Sequence, residues 1–534
     1  MQLRISFRKP GAAMTSVVLV SLFILLGSCS AEQPEEQASP SKAEERSDTS
    51  NPDTKLKTTS KDTREPPRKE PEPEPRAALV PITHLASMRE NVSLEELSGD
   101  RDLAVPQAYG ETAKELLGSS DFESLDSTDA VVDHVSRTPG ALGLVPWNEA
   151  GPCVKALAAG GESLLEPDAP PGEYPLTPED ATIPDGEELR RVVVAGDIVL
   201  DRGQNYTVIQ KGLGLRFPLN GGYAGITGRE AEPSYYSETG TIHQFTAERL
   251  GETGEVREYL RGADLTLANF ENPVITNAVY HPSATTFTGD LRLMPILRQA
   301  GIDGVTLGNN HVLDAGVSGL EETLVHLDDT GISHAGAGMS LDDAREPMIF
   351  DLGETRMGVL SYHGVPSYEW SWATEAVPGT APLLERVMRE DVERLRRRVD
   401  LVAVMPHWGK EYVATPEPGQ VEFAHAAVDA GADMVIGGHA HWPKGIEVYR
   451  GKPIYYGVGN FLLDQSWSEE TSTGIFAEIT LYEDRVIQTE PVPFIMLDQA
   501  QPNFLVPNAG GNRALRKIYS ASLGPEFESY KARN

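Results

Sequence analysis

Cysteine is nearly missing from this chain, which has only Cys29 and Cys153 in 534 residues. A disulfide framework is therefore excluded, and stability has to come from packing or from bound ions. Long apolar runs are missing too. The one strongly apolar stretch, 17–26, is too short to cross a hydrocarbon layer of ~30 Å as a helix and has the length of the apolar part of a signal peptide. Basic residues are scarce: 46 Lys and Arg stand against 80 Asp and Glu, a formal net charge of −34. Such a balance argues against nucleic acid as a partner and for an exported protein.

The first residues fit export. Arg4, Arg8 and Lys9 precede the apolar stretch, and Leu26-Gly-Ser-Cys29 closes it with small residues before a cysteine. This resembles a bacterial lipobox, so residues 1–28 are expected to be a lipoprotein signal peptide. Cys29 then becomes the lipidated first residue, anchored at the extracytoplasmic face of the cell membrane, since two acyl chains hold where one does not. An ordinary signal peptide with an incidental cysteine is the alternative. Residues 29–77 read as a tether. Between 31 and 77 lie eight prolines, twelve acidic and nine basic residues, and Leu56 is the lone large apolar side chain. Such a segment cannot bury a core and spaces folded parts away from a lipid surface.

Length alone implies more than one domain. Residues 78–180 suit a small α/β domain, with helices over 94–97 and 112–117, a strand over 140–146, and Ser93 with Glu96 as a capping box. The stretches 138–145 and 173–176 resemble parts of phosphate-type periplasmic solute-binding proteins, although a purely structural adaptor is favoured over ligand binding. A segment rich in Pro, Asp and Glu, 170–186, separates this unit from the main domain at 187–500. There, apolar strands at 191–195, 265–269, 304–307, 357–362, 401–405 and 434–436 alternate with amphipathic helices. Several of those helices end at a glycine: Gly301, Gly331 or Gly431. Strand and helix in alternation predict a largely parallel sheet covered on both faces. Hairpins follow at 446–456 and 474–491, and 501–534 reads as a tail.

Polar residues cluster just past the strands. Asp197 ends the first; Asn269 and Glu271 end the second; Asn310 and His311 end the third; His407 ends another; His439 and His441 follow the last. In open α/β sheets the carboxyl ends of strands form the ligand crevice, so these side chains can converge. Carboxylates, a carboxamide and imidazoles together suit Mn, Fe or Zn better than Ca. Any one histidine alone is more often an ordinary partly buried residue, and His326, His334 and His425 read that way.

The segments Gly196-Asp197 with Arg202, Asn269-Phe-Glu271, Asn309-Asn-His311 with Asp314, Pro406-His-Trp-Gly409, and Gly438-His-Ala-His441 with Gly459-Asn-Phe461 occur in a fixed order. They resemble the successive motifs of the CapA family of poly-γ-glutamate capsule proteins, over about 300 residues. That family belongs to the calcineurin-like metallophosphoesterase superfamily, and the resemblance implies a four-layer α/β/β/α sandwich with one or two divalent transition metal ions. Carried over by motif, Asp197, Glu271, Asn310, His407, His439 and His441 are the metal-ligand candidates. His311 is the candidate general acid, Asp314 its orienting partner, and Arg202 a clamp for an anionic group; a buried ion pair or cap is the structural alternative for the last two. Two positions depart from the wider superfamily. Val199 stands where a second histidine ligand is usual, which predicts a weakened metal site, and Glu271 stands in place of an aspartate.

The resemblance implies a role in making, exporting or attaching an anionic polymer beside a membrane-bound polymer synthase. A phosphoester substrate for a free-standing hydrolase and a non-catalytic scaffold are the competing readings. Labelling cells with a palmitate analogue should mark the wild-type protein and not Cys29→Ser; release of both as unlabelled soluble protein would refute the anchor.

Overall fold

The computed structural model describes residues 77–166, 174–233, 241–282 and 285–531. The segments expected as signal peptide and tether, with Cys29, lie outside the described residues through residue 76. Two sheets carry the main fold. One has ten strands, with Leu189–Ile198 flanked by Thr473–Tyr482 on one side and by Leu265–Phe270, Gly304–Thr306 and Ser333–Ala335 on the other. The second has six and is built around Thr355–Gly364, Leu401–Trp408 and Met434–Ile436, which run parallel.

Successive apolar residues in these strands belong to different cores, because side chains alternate across a sheet. Val192, Val194, Leu265 and Leu267 meet Met357, Val359, Leu401, Ala403, Met405 and Met434 between the two sheets. Val193, Ala195 and Ala268 face outward under Ile296, Leu297, Leu320 and Leu327 of the covering helices. On the far side Val402, Val404 and Val435 pack under Val387, Val392, Phe423 and Ala427. The layers are therefore α/β/β/α, and each buried Val or Leu contributes about 1.5–3 kcal/mol. The helix Pro418–Ala430 stops at Gly431, whose φ of 114° is open to glycine and strained for other residues.

Residues 79–156 form a separate five-stranded sheet backed by the helix Thr128–Arg137. Ser93 caps the helix Leu94–Gly99 by accepting from the Glu96 amide, but the Glu96 carboxylate turns to Arg89 and leaves the expected box half formed. The long ribbon of Tyr223–Pro233 and Thr241–Leu250 was not expected from the sequence. Its solvated charges hide any simple alternation.

The segment 501–534, expected as a tail, is structural. Gln501–Leu505 pairs antiparallel with Arg485–Leu497, and the helix Gly511–Ala521 sends Leu515, Ile518 and Tyr519 into the core between the sheets. Its apolar residues recur at helical spacing, and that face closes the open end of the sandwich. Tyr519→Ala should therefore cost about 3 kcal/mol or more, read as a lower denaturant midpoint at unchanged slope. An unchanged midpoint would mean that the segment only decorates the surface.

Candidate metal centre

Gly196 sits where the strand bearing Asp197 passes a neighbouring loop so closely that a Cβ would lie 1.8 Å from the Gly459 carbonyl oxygen. That approach brings Asn460 and Asp197 onto the same crevice, at the carboxyl ends of both parallel sets of strands. Asp197, Glu271, His407, His439 and His441 are all buried there, with Asn310.

They form two groups. The donor atoms of Asp197, Glu271 and His441 lie within 4.8 Å of one another, and so do those of Glu271, His407 and His439. Glu271 belongs to both. Asn310 Oδ1 lies 2.9 Å from His407 Nε2, beside the second group. All six ligand candidates thus come together. His439 and His441 take φ values of 82° and 53°, left-handed conformations that cost a residue with a side chain on the order of 1–3 kcal/mol each.

The donor set fits a divalent cation. Glu271 has no exposed surface, and neither of its oxygens accepts a hydrogen bond; Nδ1 of His407 and of His439 also lack partners. Burying an ionised carboxylate without compensation costs several kcal/mol, and a cation removes that cost. Burial pushes the Glu271 carboxyl well above the ordinary range, and the Asp197 charge adds to the effect. Burial also holds His407 down to about 3 and His439 well below its usual value, so both keep neutral rings with lone pairs for a metal. Desolvation would raise Asp197, yet the His441 contact at 3.2 Å, His407 and an Asn269 hydrogen bond of 2.7 Å hold it below the usual range. Burial likewise opposes a charge on His441, but Glu271 and Asp197 raise it to about 9. In the metal-free protein His441 therefore serves as the counter-cation.

His311 adjoins the groups, 9% exposed, with Nδ1 2.8 Å from Asp314 Oδ2. A carboxylate only accepts, so Nδ1 donates and Nε2 is left with its lone pair. The same Asp314 oxygen accepts from the Phe287 amide at 2.8 Å, and the Phe287 ring lies 4.6 Å from the imidazole. Arg202 stands outside both groups. Its Nε is 3.0 Å from Asp464 Oδ1, so the structural ion pair is realised. Val199, at the departing motif position, packs with Phe287 and Leu463 in a small apolar cluster.

Further contacts support these groups, and of the residues that make them Asp201, His281 and His363 were not singled out in the sequence. Asn269 orients Asp197, and Asn460 Oδ1 lies 2.9 Å from His441 Nδ1. Asp201 accepts from the Arg202, His281 and Thr288 amides and touches His281 Nδ1 at 2.7 Å, fixing the loop that carries Phe287. His363 is fully buried in register with His407 and bonded to the Thr380 and Ser371 hydroxyls. Each holds a neighbour in place, Asn269 and His363 from within strands and Asn460 from the start of one. His326, His334 and His425 pair with Glu322, Asp328 and Glu447 away from the crevice, and Trp408 stacks on Tyr456.

A family model described as bacterial capsule synthesis protein PGA_cap matches residues 191–465, which include every candidate from Asp197 to His441. The chain belongs to that family. A PGA biosynthesis protein CapA of Bacillus subtilis is 30% identical over 223 residues, covering 41% of this chain and 58% of that one. A capsule biosynthesis protein CapA of Bacillus anthracis is 27% identical over 276 residues, covering 49% and 65%. The chain thus spans less than two thirds of the length of these PGA_cap relatives. A NAD nucleotidase from Haemophilus influenzae matches with a TM-score of 0.34 at 11% identity, covering 65% of this chain and 60% of that one.

Elemental analysis of protein purified without chelator should find one to two equivalents of transition metal, and metal-free protein of unchanged thermal stability would sink the centre. Reloading stripped protein near pH 7.5 should release at least one proton, because His441, at about 9, is charged before loading and neutral after it. Cation affinity should accordingly fall as the pH is lowered.

Proposed function

We propose that this protein, tethered through Cys29 to the outer face of the membrane, acts in the synthesis, export or attachment of a poly-γ-glutamate-type anionic polymer, by metal-dependent hydrolysis. The observation that carries the reading is Glu271, buried, without a hydrogen bond and common to both ligand groups. A carboxylate placed between two such groups suits a pair of Mn, Fe or Zn ions, and Val199 leaves Asp197, Glu271 and His441 as the weaker of the two. Bound there, the ions supply Lewis acidity and activation of water.

The remaining work falls to the chain. Asp197 and Glu271 carry the negative charge that holds the cations, while His407, His439 and His441 add neutral nitrogen donors. His311 holds a proton at Nε2 when its ring is charged, and passing it to the departing group completes bond cleavage. Asp314 fixes the ring's orientation through Nδ1. A polymer of carboxylates meets an acidic protein, so the cations also lower the local repulsion where the chain must enter. The family relation supports the polymer, and the metal-ligand chemistry supports the hydrolysis.

Asn310 and His311 separate enzyme from scaffold. Asn310→Ala should lower metal content and thermal stability together, since metal binding is linked to folding. His311→Ala should keep metal and fold but slow cleavage of the polymer by ~10²–10⁴-fold. If His311→Ala leaves both polymer formation and metal content normal, the hydrolase reading is wrong and a scaffold held by metal remains.

A further inference from the structure

Beside the ligand groups lies a cavity of about 320 Å³ whose lining includes Arg202, Tyr206, Ile242, Tyr280, Asp464 and Trp467. Its size is at the lower end for ligand sites, with room for one or two chain units and not for a folded partner. Aromatic rings connect it to the centre on two sides. Phe287 lies 6.0 Å from the Arg202 guanidinium and 4.6 Å from the His311 ring. On the other side Trp467 is 6.3 Å from Tyr412, which is 6.1 Å from His441.

Arg202 is 6% exposed, and its φ of 44° is one that a side chain disfavours. Such a conformation persists only where the surroundings impose it, and here Asp201 holds the Arg202 amide at 2.9 Å. The guanidinium is therefore set in place before any ligand arrives. Asp464 faces it at Nε, 3.0 Å away, and Trp467 flanks it at 5.5 Å. A guanidinium carries five N–H donors in one plane, so a contact along one edge leaves donors for a second anion. Sheltered from water, such a charge-assisted pair is stronger than on the surface.

We infer that this cavity is a subsite for one unit of a carboxylate-bearing amide chain. The unit's carboxylate sits on Arg202 and its flat amide lies against Trp467, which directs the adjoining linkage toward His311 and the ligand groups. The substrate class rests on the function proposed above; the location does not. Arg202 is thus a binding residue, and Asp464 positions it.

The test uses the full chain, stripped of metal with a chelator and again after reloading with Mn²⁺. Calorimetric titration with γ-linked pentaglutamate is the main probe, with adenosine monophosphate and inorganic phosphate as controls. Pentaglutamate should bind in both states, and Arg202→Gln should weaken it tenfold or more at unchanged metal content. Ile242, half-buried on the ribbon strand that lines the cavity, supplies a gentler pair of variants. Ile242→Glu should weaken binding severalfold and Ile242→Lys should tighten it, both effects shrinking at high salt. Wild-type affinity in Arg202→Gln, or binding of the nucleotide or phosphate but not the pentaglutamate, overturns the subsite. If Arg202→Gln does not fold, the Ile242 pair decides: opposite shifts uphold the subsite, and equal affinities overturn it. Arg202-dependent binding by a protein that cleaves nothing would keep the subsite and remove the hydrolysis.

Discussion

At the seam between two β-sheets, Glu271 holds a carboxylate away from water, with His407 Nε2 3.2 Å from one oxygen and no hydrogen bond made to either. Nothing in an apolar core repays that desolvation, so the group must be neutralised or must meet a cation. Much of the surrounding architecture can be traced to this constraint. The two sheets bring the ends of their parallel strands to one crevice, which supplies Asp197 from one side and His407 from the other. His439 and His441 hold left-handed backbones in a short loop, a strain that metal coordination would offset. Without a cation, the proton that His441 holds up to about 9 offsets part of that charge. Metal loading and protonation are thus alternative ways of balancing one buried charge.

The parallel strands were legible in the sequence because burial on both faces removes the need for polar residues, and a run such as Val192 to Ala195 has few other meanings. The site was legible for a related reason: an Asp, Asn or His just after an apolar strand end is costly unless it has a job. What the sequence concealed depends on contacts between distant segments. Asn269 and Asn460 stand in the sequence only as members of motifs, and what they do emerges once their partners Asp197 and His441 are in place. Asp464 gains meaning only opposite Arg202, more than 250 positions away. The helix Gly511–Ala521 was passed over because it follows the recognisable motifs, although its buried face fills the end of the inter-sheet core.

Supporting contacts around the centre have a common form, in which one acceptor serves two segments. Asp314 takes hydrogen bonds from His311 and from the Phe287 amide, so the orientation of the imidazole and the course of the segment 285–288 are set together. Asp201 does the same for Arg202 and His281. Displacing that loop would therefore disturb His311 and Arg202 at once, and Val199, packed against Phe287, is part of the apolar floor beneath it. The valine in place of a histidine is thus doubly consequential: it removes a donor and adds packing that steadies the loop.

The chain's charge bears on what can enter. A net −34 repels polyanions at long range, and screening limits that repulsion to roughly 8–10 Å at moderate salt. A carboxylate polymer approaching the crevice would meet a different field, because divalent cations held there would offset Asp197 and Glu271, and Arg202 adds a buried positive charge. Repulsion elsewhere then becomes a source of selectivity, since a polyanion gains nothing from the general surface and is retained only where the field inverts. Loss of the cations would remove the chemistry and weaken the attraction, leaving Arg202 to hold a carboxylate. On this account metal occupancy enables reaction and tunes access, and the acidic surface is compatible with an anionic polymer as the ligand.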